Sequence, residues 1–427
     1  MSSTTRPTSL RPFIIVWTGQ AASLFGTVLV QFALIWYLTQ QTGSAVILAT
    51  AAVASRIPPI ALGPFVGALV DRWNRRTVMA VSDGLTALMT LLLATLFLTG
   101  TAQIWHIYVL LFLRSLDNTF QTPAMQASTS LMVPDEHLAR IAGLNQSLQG
   151  AMDVVGPVAG ALLMTVLPMQ AILSIDIVTA VIAISLLYVV DIPQPERQAD
   201  APSQTALRDM LDGFRYVWAW PGMMVTLGAG MVMNFFVSPA FTLLPVLVRN
   251  YFHGGALQLS WLEAAAGAGV IGGGVLLGVW GGFKRRIVTT LMGLYLVGIA
   301  TVALGLVPAS TLMAAVAALL LVGMGLPLAN GPLMAIMQAT IPADKQARVF
   351  ALDMAISISV TPIGLLVAGP LADALGVQWW YIAAGVVVIV MGAVMAFIPA
   401  VMRIEEQRQD GIEAVSAPAA AESGQGR

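Results

Sequence analysis

The sequence predicts an all-α integral membrane protein: twelve transmembrane helices in two pseudo-symmetric six-helix bundles. Composition is the first reason. Of 427 residues, 58% are hydrophobic and 10% charged, whereas soluble proteins carry roughly 25% charged residues. Most of this chain cannot face water. The second reason is length, since the apolar stretches divide into twelve at about 20 residues each, enough for a helix to cross the hydrocarbon. The third is repetition. Pro134, Arg140, Asn145 and Gly156 recur as Pro342, Arg348, Asp353 and Gly364, all about 208 residues on. Gly67 and Arg75-Arg76 recur as Gly278 and Arg285-Arg286 after about 210 residues. A constant offset is the mark of two halves of one design, as in transporters whose halves rock about a midplane site.

Residues 1–11 are short, polar and basic and lack a cleavage pattern, so they read as a retained cytoplasmic N-terminus. The first bundle, 12–190, holds spans 12–39, 44–70, 77–99, 104–127, 138–167 and 170–190. Span one mixes Gln20, Ser23 and Gln31 with Trp17, Phe25 and Trp36, and span two carries Arg56 ahead of Pro58-Pro59. Span four holds Arg114 and Asp117, and span five holds Asn145, Gln146, Gln149 and Asp153 ahead of Gly156-Pro157. Residues 191–221, rich in Pro, Gln and charge, form a cytoplasmic linker with an amphipathic piece near 207–218. The second bundle, 222–402, holds spans 222–248, 257–282, 287–307, 311–338, 348–374 and 378–402. Within it Gly272-Gly273-Gly274 is a packing surface, and Asn234, Phe235, Phe236 and Glu263 add polar and aromatic groups. The tail 403–427 is polar and reads as disordered. These runs are too long and too evenly apolar for barrel strands, and membrane helices tolerate the prolines where neighbours or cavity water satisfy the freed backbone.

Lys and Arg resist crossing the bilayer and so mark cytoplasmic loops. Arg6, Arg11, Arg72, Arg75, Arg76, Arg140, Lys284, Arg285, Arg286, Lys345, Arg348 and Arg403 fall on one side, and Arg249 is almost alone on the other. Both termini are therefore expected in the cytoplasm. The chain has no cysteine and only His106, His137 and His253, far apart. That excludes disulfides and thiolate chemistry and argues against a metal site. No phosphate-binding G-x-x-x-x-G-K-[ST] loop or G-x-S-x-G elbow appears, so ATP-driven pumping and hydrolase chemistry are not expected. The acids and histidines are too scattered for a catalytic cluster, and nothing suggests a nucleic-acid partner.

Gly67-Ala68-Leu69-Val70-Asp71-Arg72-Trp73-Asn74-Arg75-Arg76 ends an apolar run with an acid and three arginines. The spacing G-x-L-x-D-R-x-x-R-R resembles the loop between helices two and three of the major facilitator superfamily, with Asn74 where the family usually has Gly. The resemblance covers roughly 12–402. It implies that Gly67, Asp71, Arg72, Arg75 and Arg76 form a conformational switch joining the cytoplasmic ends of the halves. Arg114 is placed like the superfamily's helix-four arginine, linked to proton coupling, with Asp117-Asn118 following it. Structural partners for Arg114 are Asp117, three residues on, or Asp83 in span three. Gly156, Pro157 and Gly160 form a G-P-x-x-G run resembling the helix-five signature of the superfamily's exporters. With Thr122-Pro123-Ala124-Met125-Gln126-Ala127, it is similar to the bacterial drug-efflux branch, which includes macrolide-efflux proteins.

The resemblance implies proton-coupled export of hydrophobic small molecules by alternating access in the bacterial cytoplasmic membrane. It implies no cofactor, a proton gradient as energy source, and a monomer in lipid. Charge inside an apolar helix is costly. Asp153, a carboxyl able to pass between charged and neutral forms, is therefore the expected proton carrier, with Arg114 and Asp117. Gln20, Gln31, Arg56, Asn145, Gln149, Asn234, Phe235, Phe236 and Glu263 are the expected cavity residues; Arg56 is placed either there or as neutraliser of Asp153 or Asp176. A lipid or lysophospholipid transporter and an uptake permease are alternatives within the fold, and a membrane enzyme or sensor is one outside it.

Overall fold

In a computed structural model, residues 10–70, 73–192, 220–341 and 343–405 are described. Among them are twelve long helices. The first six are α1 (Arg11–Thr42), α2 (Ala45–Val70), α3 (Arg75–Leu98), α4 (Ile104–Met132), α5 (Asp135–Val166) and α6 (Met169–Val189). The second six are α7 (Pro221–Thr242), α8 (Ala256–Trp280), α9 (Arg286–Leu306), α10 (Leu312–Thr340), α11 (Ala343–Leu375) and α12 (Val377–Phe397). Eleven are long and apolar enough to cross a membrane. The twelfth, α4, has the length at 29 residues, but Arg114, Asp117, Asn118, Gln121 and Gln126 dilute its hydropathy.

Helix ends follow local chemistry. Asn74 caps α3 by accepting from the Thr77 amide at 3.2 Å, as short polar side chains do at helix starts. The helix expected over 222–248 stops at Thr242. The chain goes on as a turn over Leu244–Val246 and a π-turn over Leu247–Tyr251. Pro245 has no amide hydrogen to continue the ladder.

By packing, the chain divides into two compact units. One comprises Met1–Pro202, Phe241–Gly267 and Leu365–Val377; the other comprises Ser203–Ala240, Ala268–Gly364 and Gln378–Arg427. Inside the first, two apolar clusters sit one above the other. One gathers Phe13, Val16, Val70, Met79, Ala124 and Leu187, near the end bearing Arg75 and Arg76. The other gathers Leu29, Leu34, Leu93, Ile107, Leu110 and Leu173. Between them α1, α3, α4 and α6 each turn polar residues inward.

The duplication is visible in contacts as well as in sequence. Arg75, the first residue of α3, donates to the Ala127 carbonyl of α4 at 2.7 Å. Arg286, the first residue of α9, donates to the Ala335 carbonyl of α10 at 3.3 Å. Ala127 and Ala335 stand 208 residues apart, whereas Arg286 matches Arg76 at the offset of 210, so the acceptor is kept and the donor is shifted by one position. The linker expected at 191–221 with its amphipathic piece, and the tail beyond 405, lie outside the described residues apart from the linker's ends.

Candidate functional site: a buried charge ladder

Asp83, Thr86 and Thr90 are spaced three and four residues apart on α3, so they share one face. From Asp83 to Thr90 the rise is about 10 Å at 1.5 Å per residue. Each rung meets a different carboxyl system. At the first rung Asp83 accepts from Gln20 Nε2 (2.9 Å), Ser23 Oγ (3.1 Å) and Gln121 Nε2 (2.9 Å). Gln121 also donates to Gln20 Oε1 at 2.8 Å, closing a ring across α1, α3 and α4. At the second rung Thr86 Oγ1 donates to Asp117 at 2.9 Å. At the third, Thr90 Oγ1 donates to Asp176 of α6 at 3.0 Å and accepts from Arg114 at 3.1 Å.

Arg114 pairs with Asp176. Its Nη1 lies 2.6 Å from Oδ2 and its Nη2 lies 3.4 Å from Oδ1, with the Thr27 carbonyl at 3.4 Å. Asp83, Arg114, Asp117 and Asp176 are 3%, 7%, 7% and 1% exposed. Gly26 makes the α1–α6 approach possible, since a Cβ there would lie 3.0 Å from the Asp176 backbone and collide with Thr179. The ladder therefore holds three carboxyls against one guanidinium. Fully ionised it would bury two uncompensated negative charges, a state several kcal/mol too costly to persist.

The expected partners of Arg114 were Asp117 or Asp83; the structure pairs it with Asp176 instead. That pairing also removes Asp176 as a partner for Arg56, which is exposed on α2 with no ion pair to a described residue. Asp153 is exposed on α5 and accepts from Gln149 of its own helix at 3.1 Å. Asn145, Gln146 and Gln149 are exposed on the same stretch, and Asn145 accepts from Trp17 Nε1 at 2.6 Å. A carboxyl without an ion pair and three amides would face acyl chains only at heavy cost.

Gly156 and Gly160 seat α5 on α1. Side-chain carbons there would collide with Val28 and crowd Phe32, and Pro157 lies buried between them. Gln31 and Glu263 are half-buried, Glu263 without a hydrogen bond to a described residue. Asn234 of α7 donates to the Gly230 carbonyl at 3.2 Å and reaches Ser357 of α11 at 3.5 Å. Phe235 and Phe236 stand edge to face, and Phe236 stacks on Trp380 of α12, whose Nε1 donates back to its carbonyl. Asn234 and Phe236 thus contact α11 and α12 within their own unit.

In the loop motif Gly67 lies within α2, while Asp71 and Arg72 lie outside the described residues. Arg76 donates to the Val190 carbonyl and pairs with Asp191 at 3.1 Å, tying the start of α3 to the end of α6. Asp83, Thr86, Thr90, Gln121 and Asp176 are the ladder members that sequence reasoning had not assigned to the site. The signal for two of them was present, since Asp83 and Asp176 are lone acids in apolar runs.

A family model described as Major Facilitator Superfamily matches residues 16–357. Macrolide efflux protein A of Streptococcus pyogenes is 32% identical over 393 residues, covering 92% of this chain and 97% of that protein. Multidrug efflux pump Tap of Mycolicibacterium fortuitum is 24% identical over 407 residues, covering 92% and 97%. A bacterial homologue of the human lysosomal transporter Spinster superposes with a TM-score of 0.72 at 14% identity, covering 94% of this chain and 98% of that one. The nucleoside transporter NupG gives 0.68 at 13% identity, covering 90% and 99%. At such identities the two solved structures bear on the fold alone. The chain is a multi-pass membrane transporter and not an enzyme, similar to proteins named for drug efflux, and it belongs to the Major Facilitator Superfamily.

Proposed function

We propose that this transporter exports hydrophobic small molecules, macrolide-like compounds among them, from the cytoplasm in exchange for protons. It works as a monomer in the bacterial cytoplasmic membrane with both termini inside. The observation that carries the coupling is the ladder's charge imbalance, three buried carboxyls for one guanidinium. The names of the relatives support the substrate class, and the run of basic residues at one end supports the orientation.

The residues of the ladder divide the work. Arg114 holds Asp176 through a two-pronged pair. Asp83 is held by three neutral donors. Asp117 receives one, from Thr86. It is the carboxyl of the ladder with the fewest hydrogen bonds, and it is the one assigned here to carry the proton. Protonation of Asp117 removes a buried charge from between α3 and α4 and shifts the balance between inward and outward openings, with the Gly67–Arg76 loop gating the cytoplasmic side. Asp153, on the water-facing stretch of α5, exchanges protons with the vestibule, and substrate meets the Asn145, Gln149 and Trp17 surface there.

Asp117→Asn should abolish uphill efflux in energised inverted vesicles and leave equilibrium binding of a macrolide within about twofold. Asp153→Asn should slow efflux and keep it proton-driven. Normal uphill efflux by the Asp117 variant would overturn the assignment. Wild-type efflux indifferent to an uncoupler would overturn proton coupling itself.

A second reading within the fold, movement of lipids or lysophospholipids, is favoured by Arg56. It is an exposed guanidinium in the middle of α2 that suits a phosphate. Thermal stabilisation by lysolipids and not by macrolides, lost in Arg56→Gln, would select it.

A further inference from the structure

We infer that Asp373 is a latch on the outer side of the transporter, a carboxylate that caps α2 from α11 and must let go before the outer side opens. The inference rests on alternating access, as proposed above, and extends it to a part of the molecule remote from the ladder.

The first four amides of a helix have no partner within it. At the start of α2 all four are accounted for, and two of them by a residue over 320 positions away. The amides of Ala45 and Val46 donate to Asp373 at 2.6 and 3.2 Å. The Ile47 amide donates to Ser44 Oγ at 3.3 Å and the Leu48 amide to the Ser44 carbonyl at 3.3 Å. Ser44 Oγ in turn donates to Asp373 at 2.6 Å. The carboxylate faces a helix N-terminus, where the aligned peptide dipoles favour negative charge.

The same turn is held from a second direction. Gly43 adopts a left-handed φ of 62°, and its carbonyl accepts from Asn250 Nδ2 at 2.6 Å, at the end of the π-turn after α7. A side chain at Gly43 would collide with Arg249. One turn below the latch, Gly369 lets α11 lie against Ala45, Val46 and Ala49, at a hypothetical Cβ distance of 3.1 Å to Val46 and Ala49. The α1–α2 turn thus sits in a socket made by the outer ends of α7 and α11.

The pseudo-equivalent helix start lacks this device. At α8 the cap is local, with Gln258 Oε1 accepting from the Gly255 amide at 2.8 Å, a bond that can persist whichever way the halves tilt. The α2 cap crosses between the two sequence halves and cannot persist if their outer ends part. The cap therefore favours closure on its own flank, and that flank should open last.

The absence of native cysteine allows a clean test. Spin labels on Gln41→Cys and Leu375→Cys, in the full-length chain in lipid nanodiscs, report the separation of the outer ends as a distance distribution. Asp373→Ala should raise the ratio of long to short distances about five- to thirtyfold, the equivalent of losing an N-cap of 1–2 kcal/mol. Asp373→Asn, which keeps one acceptor, and Ser44→Ala should each raise it less. Gln258→Ala should leave it unchanged. A distribution unaltered in Asp373→Ala, Asp373→Asn and Ser44→Ala overturns the latch, as does an equal shift in Gln258→Ala. If the wild type shows one short distance at every pH and with every macrolide tested, alternating access fails, and the latch with it.

Discussion

Between their apolar clusters, α1, α3, α4 and α6 enclose Asp83, Arg114, Asp117 and Asp176, none more than 7% exposed. Among the described residues, the buried polar side chains from α7 to α12 are Thr226, Ser260, Thr289, Thr290, Thr301 and Thr361, all uncharged hydroxyls. There the helices meet through glycine. Gly269 and Gly273 of α8 lie against the backbone of α10 from Leu320 to Met324, Gly293 of α9 against Ala329, and Gly298 of α9 against Gly385 of α12. Two helix sets of one ancestral plan have thus reached cohesion by different means. Close backbone approach gives dispersion contacts at no desolvation cost, whereas buried ionised groups cost free energy unless paired. The acids inside α8 and α11, Glu263 and Asp353, are half-buried. A six-helix set can therefore hold together without fully enclosed charge, and cohesion alone does not account for the enclosed charges of the first set.

The most disruptive test strikes the pair that neutralises the ladder. Asp176→Leu leaves Arg114 buried without its counter-ion and should lower stability by about 3–5 kcal/mol, read as a large drop in thermal midpoint in detergent. The double variant Arg114→Met with Asp176→Leu should recover most of that midpoint and none of the uphill efflux. If it also recovered efflux, the first helix set would be as much a scaffold as the second.

A smaller loss is expected across α9 and α12. Gly385→Leu drives a side chain into the Gly298 carbonyl and the Val302 amide, and overpacking of this kind costs about 1–3 kcal/mol. The protein that still folds should exchange substrate for protons with wild-type pH dependence. A folded Gly385 variant with altered pH dependence would mean that coupling is not confined to the ladder.

How much of this was legible beforehand divides along the same line. The twelve long helices, the duplication and the notice drawn by Arg114 follow from apolar length, constant offset and the cost of an intramembrane cation, all local or periodic signals. The partner of Arg114 does not. Asp117 and Asp83 were nearer choices by spacing and by neighbouring helix, and what brings Asp176 to Arg114 instead is the close approach of α1 and α6 at Gly26. Asp153 stood out in sequence for the same reason as Asp176, an acid in an apolar run. Which face of α5 meets water depends on what covers it, and that is a tertiary fact. The Asp373 cap joins residues more than 320 positions apart, and nothing in either segment alone announces it.

The finest comparison sets two buried threonines against each other. Thr90 Oγ1 both donates to Asp176 and accepts from Arg114, so Thr90→Val, nearly isosteric, removes bonds to two buried ions and should cost about 1.5–3 kcal/mol. Thr290 of α9 is 1% exposed, and its hydroxyl oxygen has no hydrogen-bond partner among the described residues. Burying a hydroxyl without a partner costs roughly 1–3 kcal/mol on protein scales, so Thr290→Val should raise stability, by about 1 kcal/mol. Both substitutions keep the β-branched shape, so packing and χ1 preference change little and opposite signs in thermal midpoint would isolate the hydroxyl. Two shifts of the same sign would show that the halves treat buried polarity alike, and the contrast between them would rest on charge alone.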